Sequence, residues 1–219
     1  EQGEILADDA QLLRYCRAVL GNPVVFATRL TRLHHTGSGA LTDAQHEDCM
    51  RAGEFIQLAN VTRDIEKDLV RGVAFHPGLR GDLGVAVPRP ARDGGLPDDL
   101  DASQRATVDR VREARTHMLD LALSRAASYD AMAGLFDSGA ISLSRASAVL
   151  MLLFTDRYYR GCAVRGGRQA WGPRESGVSL LGSTLRSALS RRHGRALLAT
   201  RTARLRAESR HPDVRAATA

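Results

Sequence analysis

The chain has 219 residues, of which 43% are hydrophobic but only 5% aromatic, and carries a formal net charge of +6. That length makes one domain the default, and no apolar run reaches the roughly 18 residues of a membrane span. Ala, Leu and Arg dominate and no alternating β-branched run is long enough for a sheet, so an all-α fold is predicted. Three widely spaced cysteines, Cys16, Cys49 and Cys162, suit reduced thiols in the cytoplasm rather than a disulfide framework, and no signal peptide is visible.

Residues 8 to 33 read as a helix, or as two with a break. Asp8 and Asp9 suit a helix start, and Leu12, Leu13, Cys16, Val19 and Leu20 give an apolar face in helical period. Asn22-Pro23 interrupts it, because proline removes an interior hydrogen bond. Tyr15 lies beside that apolar face. His34 to Leu41 is a loop by composition, and His34-His35 has no partner at helical spacing to make a metal pair. Thr42, with Gln45 three residues on, forms a capping box that starts the next helix, running from about Asp43 to Arg71.

That helix carries the most informative stretch of the chain. At about 100° per residue, Gln57, Asn60, Asp64, Asp68 and Arg71 fall within roughly 80° of arc. Leu58, Val61, Ile65 and Leu69 fall on the adjacent arc. Asp64 and Asp68 are i and i+4 and repel each other, and a divalent cation would remove that repulsion. Arg63 and Arg71 flank them and suit phosphate oxygens. Two amides on the same arc give a merely solvated face no advantage. The stretch then closes at Arg71-Gly72 and Pro77.

Residues Gly78 to Ala102 are rich in Gly, Pro and Asp and read as a long surface loop. A helix starting at Asp101 or Ser103 reaches about Met132, with Val108, Val111, Ala114, Met118 and Leu121 inward. Gly134 to Gly139 is a turn, and Ser142 to about Val164 is a further helix. From Arg186 onward there are nine arginines against two acids, Glu208 and Asp213, so this end holds the whole positive excess. Residues 176–219 are predicted as a basic tail with an amphipathic piece over Leu180 to Leu198. Such a tail suits either solvation or peripheral contact with an anionic inner-membrane surface. Nucleic acid is not expected as a partner, because no aromatic platform accompanies the arginines. No P-loop, nucleotide-binding glycine fingerprint or Ser/His/Asp motif is present.

The run Gln57-x-x-Asn60-x-x-Arg63-Asp64-x-x-x-Asp68, followed by Arg71-Gly72 and Phe75-x-Pro77, resembles the second aspartate-rich motif of the squalene and phytoene synthases. Tyr15-Cys16-Arg17 with Gly21 resembles that family's Tyr-Cys helix, and Tyr159-Arg160 its late Tyr-Arg helix. The resemblance spans about residues 8 to 170 and implies an isoprenoid-synthase fold. It implies that Asp64 and Asp68 bind Mg²⁺, that Gln57, Asn60, Arg63 and Arg71 line the diphosphate end of the pocket, and that Tyr15 and Tyr159 guide proton or diphosphate transfer. Val61 and Ile65 would form an apolar wall for the prenyl tail. The implied reaction is head-to-head joining of farnesyl diphosphate, through presqualene diphosphate, to squalene or hydroxysqualene.

Gln57-Leu58-Ala59-Asn60 and Asn22-Pro23-Val24 are more similar to bacterial hydroxysqualene-type synthases, while Arg63 is more similar to squalene and phytoene synthases proper. NADPH as a reductant is not indicated by any nicotinamide motif. The family's first aspartate-rich motif lies well before its Tyr-Cys helix, yet only 14 residues precede Tyr15 here. Residues 1–175 are therefore expected to be the C-terminal part of such a synthase domain, incomplete at the N-terminus and weak or inactive alone. The alternatives are a phytoene synthase-type enzyme and a non-catalytic assembly member of the same fold.

Overall fold

A computed structural model describes residues 4–5, 8–88, 95–137, 141–172 and 175–210. Helix α1 (Asp9–Cys16) starts where Asp8 accepts a hydrogen bond from the Gln11 amide. It does not break at Asn22-Pro23. A π-helical turn over Arg17–Gly21 carries it directly into α2 (Asn22–Thr36). The wider turn absorbs the bond that proline cannot donate. Helix α2 ends at Gly37, whose φ of 73° closes a left-handed cap. His34 and His35 therefore belong to the last helical turn rather than to a loop.

The π turn also sets a very close helix crossing. A Cβ on Gly53 would lie 2.5 Å from the Gly21 backbone, so only glycine allows α3 (Asp43–Val70) to come so near. The capping box at Thr42 and Gln45 is present. Helix α3 is the central element. The π turn and α2 pack on it from one side, and α4, α5 and α6 from others. Its buried side chains, among them Phe55, Leu58, Val61, Ile65 and Leu69, occupy most of its circumference.

After Gly72 (φ 78°), Val73–Ala74 (β2) pairs in parallel with Glu4–Ile5 (β1). These two-residue strands are the sole sheet among the described residues, which is why no strand pattern shows in the sequence. The predicted loop begins instead with a 3₁₀ turn, Pro77–Asp82. Asp82 anchors it by accepting from Thr107 at 3.0 Å and Arg110 at 2.6 Å. Part of that predicted loop, residues 89–94, lies outside the described residues, as do residues 138–140 of the predicted turn.

The single predicted helix to Met132 is two: α4 (Ala102–Ser124) and α5 (Ala126–Gly134). The bend at Arg125 aims its guanidinium at the fully buried Glu54 carboxylate, 2.9 Å away. Arg17 reaches the other oxygen of Glu54 at 2.5 Å and Glu47 at 2.6 Å. One buried acid thus ties the π turn, α3 and the α4–α5 bend. Helix α6 (Leu143–Arg165) follows, capped by Ser142.

The segment predicted as a basic tail departs most from expectation. It forms α7 (Gly177–Leu189) and α8 (Arg191–Glu208), packed on α6, and on α5, α6 and α4, respectively. Leu180, Leu198 and Leu205 enter the core. Four of its arginines are used internally. Arg201 and Arg204 donate to Asp156, at 3.1 and 3.0 Å. Arg191 donates to Asp137 at 2.7 Å, and Arg195 pairs with the same carboxylate. Residues 211–219 of the predicted tail lie outside the described residues. No described helix is long and apolar enough to cross a membrane.

Candidate functional site

Helix α3 is packed around most of its girth; the side left accessible carries Arg63, Lys67 and Val70, with the polar stripe along its edge. Gln57 is buried, and Asn60, Asp64 and Asp68 are half-buried. Tyr15 on α1 closes one side. Its hydroxyl accepts from Gln57 Nε2 at 3.4 Å, and Gln57 Oε1 accepts from Asn60 Nδ2 at 3.3 Å. The Tyr15 ring leans on Phe75, centroid to centroid 5.2 Å, so the segment after Gly72 folds back to support it. Tyr15, Gln57 and Asn60 therefore form a hydrogen-bonded chain leading toward the two carboxylates.

The carboxylates differ. Asp64 Oδ2 accepts from Arg63 Nη2 and Nε at 2.5 and 3.1 Å, and Lys67 Nζ stands 3.5 Å from Oδ1. Burial opposes the Asp64 charge, but Arg63 and Lys67 hold its carboxyl below the usual carboxylate range. Asp68 has one distant cation, Arg71, at 3.8 Å. Burial, and then the Asp64 charge, push the Asp68 carboxyl up. Asp68 is thus the less compensated of two carboxylates flanked by three cationic side chains, a set that could take a divalent cation only together with a polyanion that meets the arginines and the lysine.

The guanidinium of Arg63 also lies 4.9 Å from the centroid of the Tyr158 ring on α6, a cation–π contact. Tyr158, Phe154 and Met151 share one exposed stripe of α6. Of the three, Tyr158 is the one in contact with the polar side of α3, through Arg63. Val61 and Ile65, expected as that wall, are instead core residues, 3% and 2% exposed. A period of 3.6 separates apolar from polar arcs on α3, but it does not say which apolar arc other helices cover.

Tyr159 is not on this face. It is fully buried, donates its hydroxyl proton to the Phe55 carbonyl and has its acidity suppressed by burial. Its neighbour Tyr158 is the tyrosine at the site, which sequence reasoning missed. The signal was available: Tyr158, Phe154 and Met151 lie at i, i−4 and i−7. Arg71 sits at the rim, with its side chain 73% exposed. A separate cluster ties α1 to α4, with His117 Nε2 2.8 Å from Asp9 and His76 ring-to-ring at 5.2 Å from His117.

Among the described residues no group of three or more His, Cys, Asp or Glu side chains is placed to hold a metal ion. The donor set at α3 is two carboxylates. That number fits Mg²⁺, which is commonly bound through one or two carboxylates with the remaining positions taken by substrate phosphates and water. No family model, characterised protein or solved structure matches the chain.

Proposed function

We propose that the accessible face of α3 binds a prenyl diphosphate with Mg²⁺ in an isoprenoid-synthase fold. The proposed reaction is head-to-head joining of farnesyl diphosphate, or turnover of presqualene diphosphate, to squalene or hydroxysqualene. The observation that carries the reading is the alignment on one helix face of the half-buried Asn60, Asp64 and Asp68 with the buried Gln57, and Tyr15 bonded to the amide end. Asp64 and Asp68 would hold the cation, which supplies charge to stabilise a leaving diphosphate. Arg63 keeps Asp64 ionised and oriented. Asn60 and Gln57 offer amide donors to diphosphate oxygens, and Tyr15 fixes the Gln57 side chain. Donors held in place before reaction stabilise developing negative charge without reorganising. Tyr158, held beside Arg63, would offer the prenyl chain an apolar ring next to the diphosphate end.

A non-catalytic member of the same fold is the second reading. It is favoured by the Asp64 carboxylate already being paired with Arg63 and Lys67. Calorimetric titration of the full chain with inorganic diphosphate, with and without Mg²⁺, separates the two. Mg²⁺-dependent binding that Asp68→Ala weakens by at least about tenfold, or 1.4 kcal/mol, supports the diphosphate site. No binding, or binding indifferent to Asp68, overturns it. Mg²⁺-dependent diphosphate release from farnesyl diphosphate then tests the chemistry.

A further inference from the structure

Helix α7 is built the wrong way round for a helix that serves only the core of this domain. Toward α6 it turns Leu180, Thr184, Ser187 and Ala188, which are buried. Away from the protein it turns Val178, Leu181, Leu185 and Leu189, which are 82%, 65%, 61% and 60% exposed. These four fall within about 80° of helical arc. The start of α6 extends the patch. Ser142 N donates to Ala188 O at 3.0 Å, and Arg145 Nε to Ser187 O at 2.7 Å. Those bonds bring Ile141 and Leu143, 70% and 79% exposed, beside the C-terminal end of α7.

The surroundings of this apolar crest are mostly basic; the carboxylate of Asp137 beside it is buried and taken up by Arg145, Arg191 and Arg195. Between Gly161 and Ala207 the chain holds ten arginines and a single acid, Glu175. Glu175 is itself held by Arg160 and Arg201. Arg186 borders the crest on α7, and Arg192 follows it at the start of α8, both exposed, while Arg191 between them is paired with Asp137. A large apolar side-chain stripe with a basic border is the pattern of a helix lying in the plane of a lipid interface, where acyl chains take the apolar face and anionic headgroups the cations. A second copy of the chain fits less well, because a two-fold contact through the crest would set the same arginines against each other.

We infer that the outer face of α7, with Ile141 and Leu143, docks the protein on an anionic lipid bilayer. The contact is made by the apolar crest of a packed helix, not by a free basic tail, and it does not rest on the diphosphate reading. The test is co-sedimentation of the full chain with vesicles of phosphatidylcholine alone and of phosphatidylcholine and phosphatidylglycerol in equal parts. The expected result is salt-sensitive binding to the anionic vesicles. Leu181→Asp/Leu185→Asp should lower it by at least about tenfold, and Arg186→Glu/Arg192→Glu should weaken it and flatten its salt dependence. All four side chains are exposed, and circular dichroism checks that the variants stay folded.

Failure of the wild type to bind anionic vesicles overturns the proposal. So does binding equal on neutral vesicles, or binding retained by Leu181→Asp/Leu185→Asp. Sedimentation velocity that shows a dimer dissolved by that double variant, without vesicle binding, would assign the crest to a second copy instead.

Discussion

Asp156 decides whether the arginine-rich C-terminal segment is a tail or part of the domain. Its carboxylate is fully buried. Oδ1 accepts from Trp171 Nε1 at 2.8 Å, and Oδ2 meets Arg201 at 3.1 Å, Arg204 at 3.0 Å and Arg160 at 3.5 Å. Asp156→Asn keeps an acceptor for the indole but removes the charge that three guanidiniums share. Breaking a buried ion pair from one side costs about 3–5 kcal/mol. Two features reduce that figure here. Arg204 is 31% exposed and recovers water, and Arg201 keeps Glu175 as a partner. A loss of about 2–4 kcal/mol is therefore expected. With a urea m-value of about 2 kcal/mol/M, the unfolding midpoint should fall by about 1–2 M.

The assay is urea unfolding followed by circular dichroism, paired with timed trypsin digestion. Cleavage after Arg201, Arg204 and Arg206 should quicken in the variant, because α8 loses its electrostatic anchor to α6. A variant with the wild-type midpoint and wild-type cleavage pattern would refute the argument, and with it the view that α8 is held by this carboxylate.

Three further outcomes follow from the packing and the site. Gly53→Ala should destabilise by about 1–3 kcal/mol in thermal unfolding, because its Cβ would meet the Gly21 backbone. In an uncrowded helix the same change stabilises by about 0.8–1 kcal/mol, so the sign alone tests the close crossing. Arg115→Met should cost about 3–5 kcal/mol, because it strands Glu66, whose carboxylate lies 2.6 Å from the fully buried guanidinium. Arg115→Met/Glu66→Met should recover most of that in a denaturant series, and a double variant as unstable as the single would contradict it.

Asp68 supplies the pH test. Its carboxyl is raised in the folded chain, so the folded state holds the proton to higher pH than the unfolded state. Stability from this group falls as pH rises from the unfolded value of about 3.9 through the folded one, and the cost persists at neutral pH. Asp68→Asn should therefore stabilise by about 0.2–0.5 kcal/mol at pH 7, with the gain disappearing below about pH 4, while Mg²⁺-dependent diphosphate binding is lost. A neutral-pH melting temperature lowered by the substitution would contradict the sign.

Much of this protein was legible from its residues in order. The capping box at Thr42 and Gln45 and the caps at Asp101 and Ser142 are local chemistry, and the helices start there. The polar stripe of α3 is a matter of period, and it stands on one face. Other features depend on groups far apart in the chain. The two adjacent tyrosines point to opposite fates because α3 covers Tyr159 and leaves Tyr158 beside Arg63. Val61 and Ile65 look like pocket residues until α3 is seen enclosed by its neighbours.

The sequence by itself determined a mostly helical chain, its main helix starts, and the shared arc of Gln57, Asn60, Asp64 and Asp68, because these follow from backbone capping and a fixed rotation per residue. Only the tertiary structure decided that four of the C-terminal arginines, Arg191, Arg195, Arg201 and Arg204, are spent on Asp137 and Asp156, which lie far earlier in the chain. A run of like charges reads as a solvated tail until its partners are known, and those partners are brought near only by the fold.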